Sequence, residues 1–164
     1  MEMPAEIGKL AHEVIGALRA KGWTIAAAES CTGGLIAGAL TSVSGSSDAV
    51  YGGFVTYANE AKIAMVGVPY GLLHEFGAVS KEVALAMAEG ALAAAGTHMA
   101  VAVTGIAGPN GGTAEKPVGL VHFAVATAED ARHLKKTFDP NWSRDQIRHA
   151  AVVEALKLLK KAIV

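Results

Sequence analysis

A chain of 164 residues is long enough for one hydrophobic core, and we expect a single domain over residues 1–164. Its formal net charge of −1 argues against nucleic-acid binding, which normally needs a strongly basic face. The single cysteine excludes an internal disulfide and a cysteine-based metal site, and no apolar run resembles a signal peptide or a membrane span, so we expect a cytoplasmic protein without membrane contact.

The first half of the chain alternates helical and β patterns. In chain order we predict a helix over 5–20, a strand over 23–30, a helix over 33–43, a strand over 49–58 and a helix over 59–68. Gly22 ends the first helix, and Asn59 is expected to cap the third. The glycine pair at 52–53 predicts a bulge or a close backbone approach within the second strand.

The second half contains the longest helical patterns and a hairpin. In chain order we predict a helix over 80–96, strands over 98–105, 117–127 and 131–138, and a helix over 143–164. Ser80 is the expected N-cap of the first helix, and Ser143 with Gln146 matches a capping box at the start of the last. The alternation predicts an α/β fold with helices on both faces of a sheet, which the hairpin makes mixed.

The first candidate corner is the stretch "ESCTGG", where a buried strand turns into a helix. Ser30 could act as a nucleophile there, with free N–H groups from Thr32 to Gly34 forming an oxyanion site. Cys31 is a rival nucleophile or a small buried filler. The alternative for the whole corner is that Ser30 or Thr32 only caps the helix. Glu29 ends an apolar strand, so we expect it to accept hydrogen bonds that order the turn.

The second corner is "TYANEAK", which brings Tyr57 to the end of a strand and Lys62 into the first turn of a helix. A cation at that end of a helix opposes the helix dipole. Burial and the dipole would both lower the pKa of Lys62, as a lysine general base requires. The alternative is an ordinary solvated lysine on the surface.

The third corner is the loop "VTGIAGPNGGTAEKPVG", which follows a buried strand. Its four glycines, Gly105, Gly108, Gly111 and Gly112, indicate a loop whose N–H groups approach a ligand, although a plain flexible loop has the same composition. The stretch lacks the Gly-Lys-Ser/Thr ending of a Walker loop.

Charged residues elsewhere give weaker signals. Arg144 lies at the start of the last helix and Arg148 one turn later, where either could meet a phosphate or remain on the surface. The histidines have no metal-ligand spacing and are expected to be structural; they are His12, His74, His98, His122, His133 and His149.

Taken together, three long stretches resemble the CinA C-terminal domain family, also described as competence/damage-inducible proteins. They are "AESCTGGLIAGALTSVSGSSDAVYGGFVTYANEAKIAMVGV", "GAVSKEVALAMAEGA" and "AVTGIAGPNGGTAEKPVGLV". The resemblance extends over nearly the whole chain. It implies an α/β/α sandwich in three layers, with a mixed, mostly parallel five-stranded sheet, and frequent dimerisation.

The same resemblance implies a function. Enzymatic members of the family are nicotinamide-nucleotide amidases, which hydrolyse the carboxamide of nicotinamide mononucleotide to nicotinate mononucleotide and ammonia without a metal or other cofactor. It implies that Ser30 is the catalytic serine and that Lys62 and Tyr57 are its base and proton-relay partners. Thr104 and Arg144 fall where the family contacts substrate, and we add Gly105 and Gly108 of the adjacent loop.

Two departures and one alternative accompany this resemblance. The chain has "DPNWSRDQIR" where the family usually has a Gly-Asp-Arg-like triplet, which weakens the assignment of Arg144. The N-terminal domain of molybdopterin-binding type that many members carry is absent, so we expect the stand-alone form. The alternative function is a non-catalytic nucleotide-binding or regulatory module linked to competence or DNA damage.

Overall fold

A computed structural model describes residues 2–163 and contains six α-helices and five strands in that range. In chain order they are α1 (Ala5–Lys21), β1 (Ile25–Glu29), α2 (Leu35–Thr41), β2 (Val50–Val55), α3 (Asn59–Val66), α4 (Tyr70–Phe76), α5 (Lys81–Ala95), β3 (Met99–Gly105), β4 (Leu120–Thr127), β5 (Ala131–Thr137) and α6 (Arg144–Ile163). A single 3₁₀ turn, Ser46–Asp48, precedes β2.

The five strands form one sheet in the order β2-β1-β3-β4-β5. β1 pairs in parallel with β2 and with β3, whereas β4 runs antiparallel to both β3 and β5. The predicted mixed sheet is therefore confirmed. Because β1, β2 and β3 are parallel, their carboxyl ends meet at one edge of the sheet, where the three candidate corners lie.

The two faces of the sheet are covered by different helices. One face is built from larger side chains such as Ile25, Val101 and Phe123, and it packs against α1, α2 and α6. The other face is lined largely by alanines and packs against α3, α4 and α5. Alternate residues of a strand point to opposite faces, so β3 sends valines to the first face and alanines to the second.

Alanine and glycine allow α3, α4 and α5 to pack close to the sheet and close to one another. A β-carbon at Gly90 of α5 would lie 1.7 Å from the carbonyl oxygen of Val66, the last residue of α3. The two helices therefore cross at a distance that only glycine permits. Among residues 2–163, no helix is both long and apolar enough to cross a membrane.

The structure confirms some helix ends and corrects others. Ser80 caps α5 by accepting a hydrogen bond from the amide of Val83, and Ser143 and Gln146 form the expected reciprocal pair. The prediction for Asn59 is wrong: Asn59 is the first helical residue, and the N-cap is Ala58, which has no side-chain acceptor. Helix α4 was not predicted.

Candidate active site

A cavity of about 260 Å³ opens at the edge of the sheet where β1, β2 and β3 end. It brings together residues from all three corners and from the start of α6, including Ser30, Tyr57, Lys62, Thr104 and Arg144. These residues are far apart in the sequence. The parallel strands bring them together, because their carboxyl ends lie at the same edge of the sheet.

Ser30 and Lys62 are in direct contact at the floor of this cavity. The Lys62 Nζ lies 3.1 Å from the Ser30 Oγ, 2.9 Å from the Thr56 carbonyl oxygen and 3.1 Å from that of Tyr57. The exposed fraction is 8% for Ser30 and 1% for Lys62. Lys62 is therefore buried, and the alternative of a solvated lysine on the surface is wrong.

The partners of Lys62 suit a neutral amine. Two of them are carbonyl oxygens, which only accept hydrogen bonds, and a neutral amine has two N–H groups and one lone pair. As an ammonium, Lys62 donates to all three oxygens; as a neutral amine with both N–H groups on the carbonyls, it turns its lone pair to the hydroxyl of Ser30. Burial lowers the pKa of Lys62 from its ordinary value, because the charged form loses solvation.

Glu29 organises the turn that carries Ser30. Its buried carboxylate accepts hydrogen bonds from the Thr32 hydroxyl at 2.7 Å and from the amides of Ile36 and Ala37 at 2.8 and 3.0 Å. The latter two belong to the first turn of α2, whose own N-cap, Gly34, has no side chain to offer. A carboxylate from β1 therefore caps α2, and the expected role of Glu29 is confirmed.

Thr32, Gly33 and Gly34 lie behind Ser30 and do not line the cavity. The Thr32 hydroxyl is used by Glu29, and the amide of Gly33 donates to the Ser30 carbonyl at 3.0 Å. Both glycines have positive φ, +57° and +101°, so the turn needs residues without a β-carbon. Cys31 is the residue of this turn that borders the cavity beside Ser30.

Cys31 does not have the environment of a nucleophile. Burial raises the pKa of its thiol to about 12, so the reactive thiolate is scarce near neutral pH. The thiol behaves as a small buried side chain.

Tyr57 and Arg144 form one wall of the cavity. The Tyr57 hydroxyl accepts a hydrogen bond from Arg144 Nη2 at 2.9 Å, and Nη1 of the same guanidinium donates to the Gly108 carbonyl at 2.7 Å. Tyr57 thus contacts Lys62 through its main-chain carbonyl and Arg144 through its ring hydroxyl. Among residues 2–163, no hydrogen bond joins that hydroxyl to Ser30 or Lys62.

The loop after β3 forms the adjoining wall. Residues 105–108, 110 and 111 line the cavity, and the Thr104 hydroxyl donates to the Ala78 carbonyl at 2.8 Å. This bond ties the segment before α5 to the strand end, and Ala78 and Val79 also border the cavity. A β-carbon at Gly105 would lie 2.7 Å from a Val121 methyl group, so close packing on β4 requires glycine here.

The two arginines of α6 separate clearly. Arg144 lines the cavity, whereas Arg148 donates from Nε to the Cys31 carbonyl at 3.0 Å and holds the turn from behind.

Sequence reasoning missed Asn59 and Asn110, which also line the cavity. Asn59 was considered only as a cap, and Asn110 was visible only as part of the glycine-rich loop. Within residues 2–163, no three His, Cys, Asp or Glu side chains are grouped to hold a metal ion.

Comparison with known proteins agrees with this architecture. The model of the CinA C-terminal domain matches residues 7–163. The chain is 50% identical over 156 residues to a CinA-like protein of Synechococcus sp. (strain RCC307), covering 95% of this chain but 37% of that protein. It is 49% identical over 149 residues to the nicotinamide-nucleotide amidohydrolase PncC of Enterobacter agglomerans, covering 91% of this chain and 90% of that one.

Solved structures show the same fold. The competence/damage inducible protein CihA from Agrobacterium tumefaciens superposes with a TM-score of 0.95 at 49% identity, covering 99% of this chain and 98% of that one. A CinA superfamily protein from Klebsiella pneumoniae gives a TM-score of 0.91 at 32% identity, covering 96% of this chain and 97% of that one. By sequence and by structure, this chain belongs to the CinA C-terminal domain family.

Proposed function

We propose that this protein is an amidohydrolase that converts nicotinamide mononucleotide to nicotinate mononucleotide and ammonia, a reaction of pyridine nucleotide recycling. The observation that carries the proposal is the buried contact between Lys62 Nζ and Ser30 Oγ at 3.1 Å. The name of the Enterobacter agglomerans relative, which this chain covers over 90% of its length, supports the same substrate class.

In the proposed mechanism, Ser30 is the nucleophile and Lys62 is the general base. Neutral Lys62 takes the Ser30 proton, and the alkoxide attacks the carboxamide carbon to form a C–O bond. The C–N bond then breaks, the Lys62 ammonium protonates the leaving nitrogen, and ammonia departs. Water, deprotonated in turn by Lys62, hydrolyses the acyl-enzyme and restores Ser30.

The substrate's phosphate is assigned to Arg144. Both hydrogen-bond acceptors of its guanidinium, a carbonyl and a phenol oxygen, are uncharged. Among the ion pairs within residues 2–163, none involves Arg144. A phosphate in the cavity would therefore gain a charge-assisted hydrogen bond without displacing a carboxylate. Tyr57 would orient this guanidinium, and Thr104, Gly105 and Gly108 would shape the wall that the ribose meets.

Ammonia release from nicotinamide mononucleotide tests the proposal. Ser30→Ala should reduce kcat by about 1,000-fold or more, because it removes the nucleophile. Cys31→Ala is the matched control on the next residue and should stay within about threefold of the unmodified protein, since a buried protonated thiol takes no part. Full activity of Ser30→Ala would contradict the mechanism. Tight nucleotide binding without turnover at any pH would favour the binding or regulatory module instead.

We also propose a homodimer. Six of the seven exposed large apolar side chains of residues 2–163 fall between positions 51 and 70, in β2, α3, α4 and the connection between β2 and α3. β2 is an edge strand. It has neither charged residues nor proline, which commonly protect edge strands from pairing with another chain. The opposite edge strand, β5, carries Arg132, Lys135 and Lys136. The unprotected edge supports self-association on the β2 side.

A further inference from the structure

Arg148 reaches from α6 to the turn that carries the proposed nucleophile, across 117 positions of sequence. Its Nε donates to the Cys31 carbonyl at 3.0 Å, and its Nη2 donates to the Thr32 carbonyl at 3.5 Å. The nearest carboxylate, Asp145 on the same helix, lies 3.8 Å from Nη1. The closest partners of this guanidinium are therefore the two main-chain carbonyls that follow Ser30.

Gly33 leaves room for this guanidinium. A β-carbon at Gly33 would lie 3.1 Å from Arg148 Nη2, and the residue has a φ of +57°. A side chain at position 33 would thus be strained by its own backbone and would press on the arginine. The turn and the arginine fit together only with glycine at this position.

The two hydrogen bonds set the direction of peptide groups in the turn. In a planar trans peptide the carbonyl and the following N–H point in opposite directions. Since Arg148 holds the Cys31 carbonyl, the amide of Thr32 points away from the guanidinium. Likewise, the Ser30 carbonyl accepts from Gly33, so the amide of Cys31 points away from that bond.

The amide of Cys31 is the suitable oxyanion donor. It directly follows the nucleophile, and Cys31 borders the cavity whereas Thr32, Gly33 and Gly34 do not. In the hydrogen bonds among residues 2–163, the amides of Cys31 and Thr32 donate to no acceptor of another residue. An N–H group directly after a nucleophilic serine is a common member of an oxyanion hole.

We propose that Arg148 is a positioning residue for catalysis, which holds the Cys31 and Thr32 carbonyls. The Gly33 amide, opposite the held Thr32 carbonyl, then stays on the Ser30 carbonyl, and this bond turns the Cys31 amide towards the developing oxyanion. This inference rests on the proposed amidohydrolase function. It also assigns different tasks to two arginines one helical turn apart: Arg144 binds the substrate's phosphate, and Arg148 does not touch substrate.

Steady-state kinetics with nicotinamide mononucleotide test this division. Arg148→Ala should lower kcat by about 10- to 100-fold, as expected for a displaced oxyanion donor, and change KM by less than about threefold. Arg144→Ala should instead raise KM more than it lowers kcat. Arg19→Ala is a matched control, because Arg19 also packs against a positive-φ glycine, Gly45, but lies on α1 and pairs with Asp48.

Further variants separate positioning from folding. Arg148→Lys keeps the charge but has no planar fork for two carbonyls, so it should recover only part of kcat. Added guanidinium ion, far below unfolding concentrations, should raise kcat of Arg148→Ala and leave Arg148→Lys unchanged. Gly33→Ala should lower kcat by itself and add little in the Arg148→Ala background, since both changes disturb one contact. If Arg148→Ala does not fold, Arg148→Lys and Gly33→Ala decide the question.

A probe of Ser30 that needs no natural substrate distinguishes this inference from the proposed function. With a fluorophosphonate, the Ser30 oxygen bonds to phosphorus, fluoride leaves, and Lys62 takes the proton; mass spectrometry measures the labelling rate. Slower labelling of Arg148→Ala, with a thermal transition like that of the unmodified protein, supports the inference even if nicotinamide mononucleotide is not hydrolysed. Equal labelling rates, an unchanged kcat, or a Ser30 that is never labelled would overturn it.

Discussion

The environment of Lys62 determines what this side chain can do. It is buried against two carbonyls and one hydroxyl, and no carboxylate among residues 2–163 pairs with it. Burial disfavours an ammonium that has no counter-charge and so lowers the pKa of Lys62 from its ordinary value. The same burial favours the neutral amine, the form in which Lys62 serves as the base for Ser30 in the proposed mechanism.

The rate should depend on pH through this lysine. Because burial lowers the pKa of Lys62, kcat/KM should rise with pH as the ammonium loses its proton, and level off below the ordinary lysine value of 10.5. Lys62→Met should lose activity by about 100- to 10,000-fold, since the general base is removed. A pH–rate profile for ammonia release checks both points. A rate that does not change with pH below 10 would contradict the assignment of Lys62 as the base.

The residues of the site differ in how far sequence could assign them. A glycine turn and a cation at the wrong end of a helix made Ser30 and Lys62 candidates, and the resemblance to the family gave them their roles. Arg148 gave the same local signal as Arg144, and only the fold shows that one faces the cavity and the other the turn. Thr32 to Gly34 were expected at the substrate because the start of a helix offers free N–H groups, and composition does not show which way those groups point.

Among the elements, helices with strong end signals were predicted well, and short ones were not. α4 has seven residues, follows Pro69 and begins without a side-chain cap, so no signal marked it. The N-cap of α3 is Ala58, which has no side-chain acceptor, and Asn59, the predicted cap, is already the first helical residue. Tertiary packing on α5, not local capping, holds these two helices in place.

The crossing of α3 and α5 gives a prediction for stability. Gly90→Ala should lower the free energy of unfolding by about 1–3 kcal/mol or more, because its β-carbon would overlap the Val66 carbonyl. Gly16→Ala is the matched control: its β-carbon would meet no atom within 4 Å beyond its chain neighbours and the backbone of α1, and it should raise stability by about 0.5–1 kcal/mol through helix propensity. Urea unfolding measures both. Equal changes in the free energy of unfolding for the two variants would mean that α3 and α5 can move apart without loss of stability.

The hairpin contains a second pH-sensitive group. His122 Nδ1 and His133 Nε2 lie 2.8 Å apart on β4 and β5. Burial, followed by the neighbouring imidazole and nearby lysines, lowers the pKa of His122 from 6.5 to about 4, and burial also lowers that of His133. The folded state therefore binds these protons less readily than the unfolded chain.

Stability should fall as pH decreases from about 6.5 towards 4, because the unfolded chain takes up protons that the folded hairpin resists. Replacing both histidines by glutamine should flatten this part of the profile. Thermal unfolding at several pH values is the measurement, and the unmodified protein at pH 7.5 and 5 provides the reference. A transition temperature that is the same at both pH values would contradict the effect.

For the molecule as a whole, the contrast between the two sheet edges predicts the assembly. Val55→Lys would put a cation on the unprotected β2 edge and should shift the protein from dimer to monomer, measured by light scattering after size-exclusion chromatography. A charge change on β5, Lys136→Glu, is the control and should leave the mass unchanged. A monomeric unmodified protein would refute the homodimer.

The alanine-lined face of the sheet limits how this protein can change. Growth of a side chain on that face, at Ala102 for instance, would push α5 outward. Ser80, which caps α5, would move with the helix. Ala78 and Val79, which border the cavity, would move as well. The opposite face, filled by larger side chains, can exchange volume between neighbours. Sequence drift in the core should therefore be one-sided, because the distance of α5 from the sheet also sets the position of residues that border the cavity.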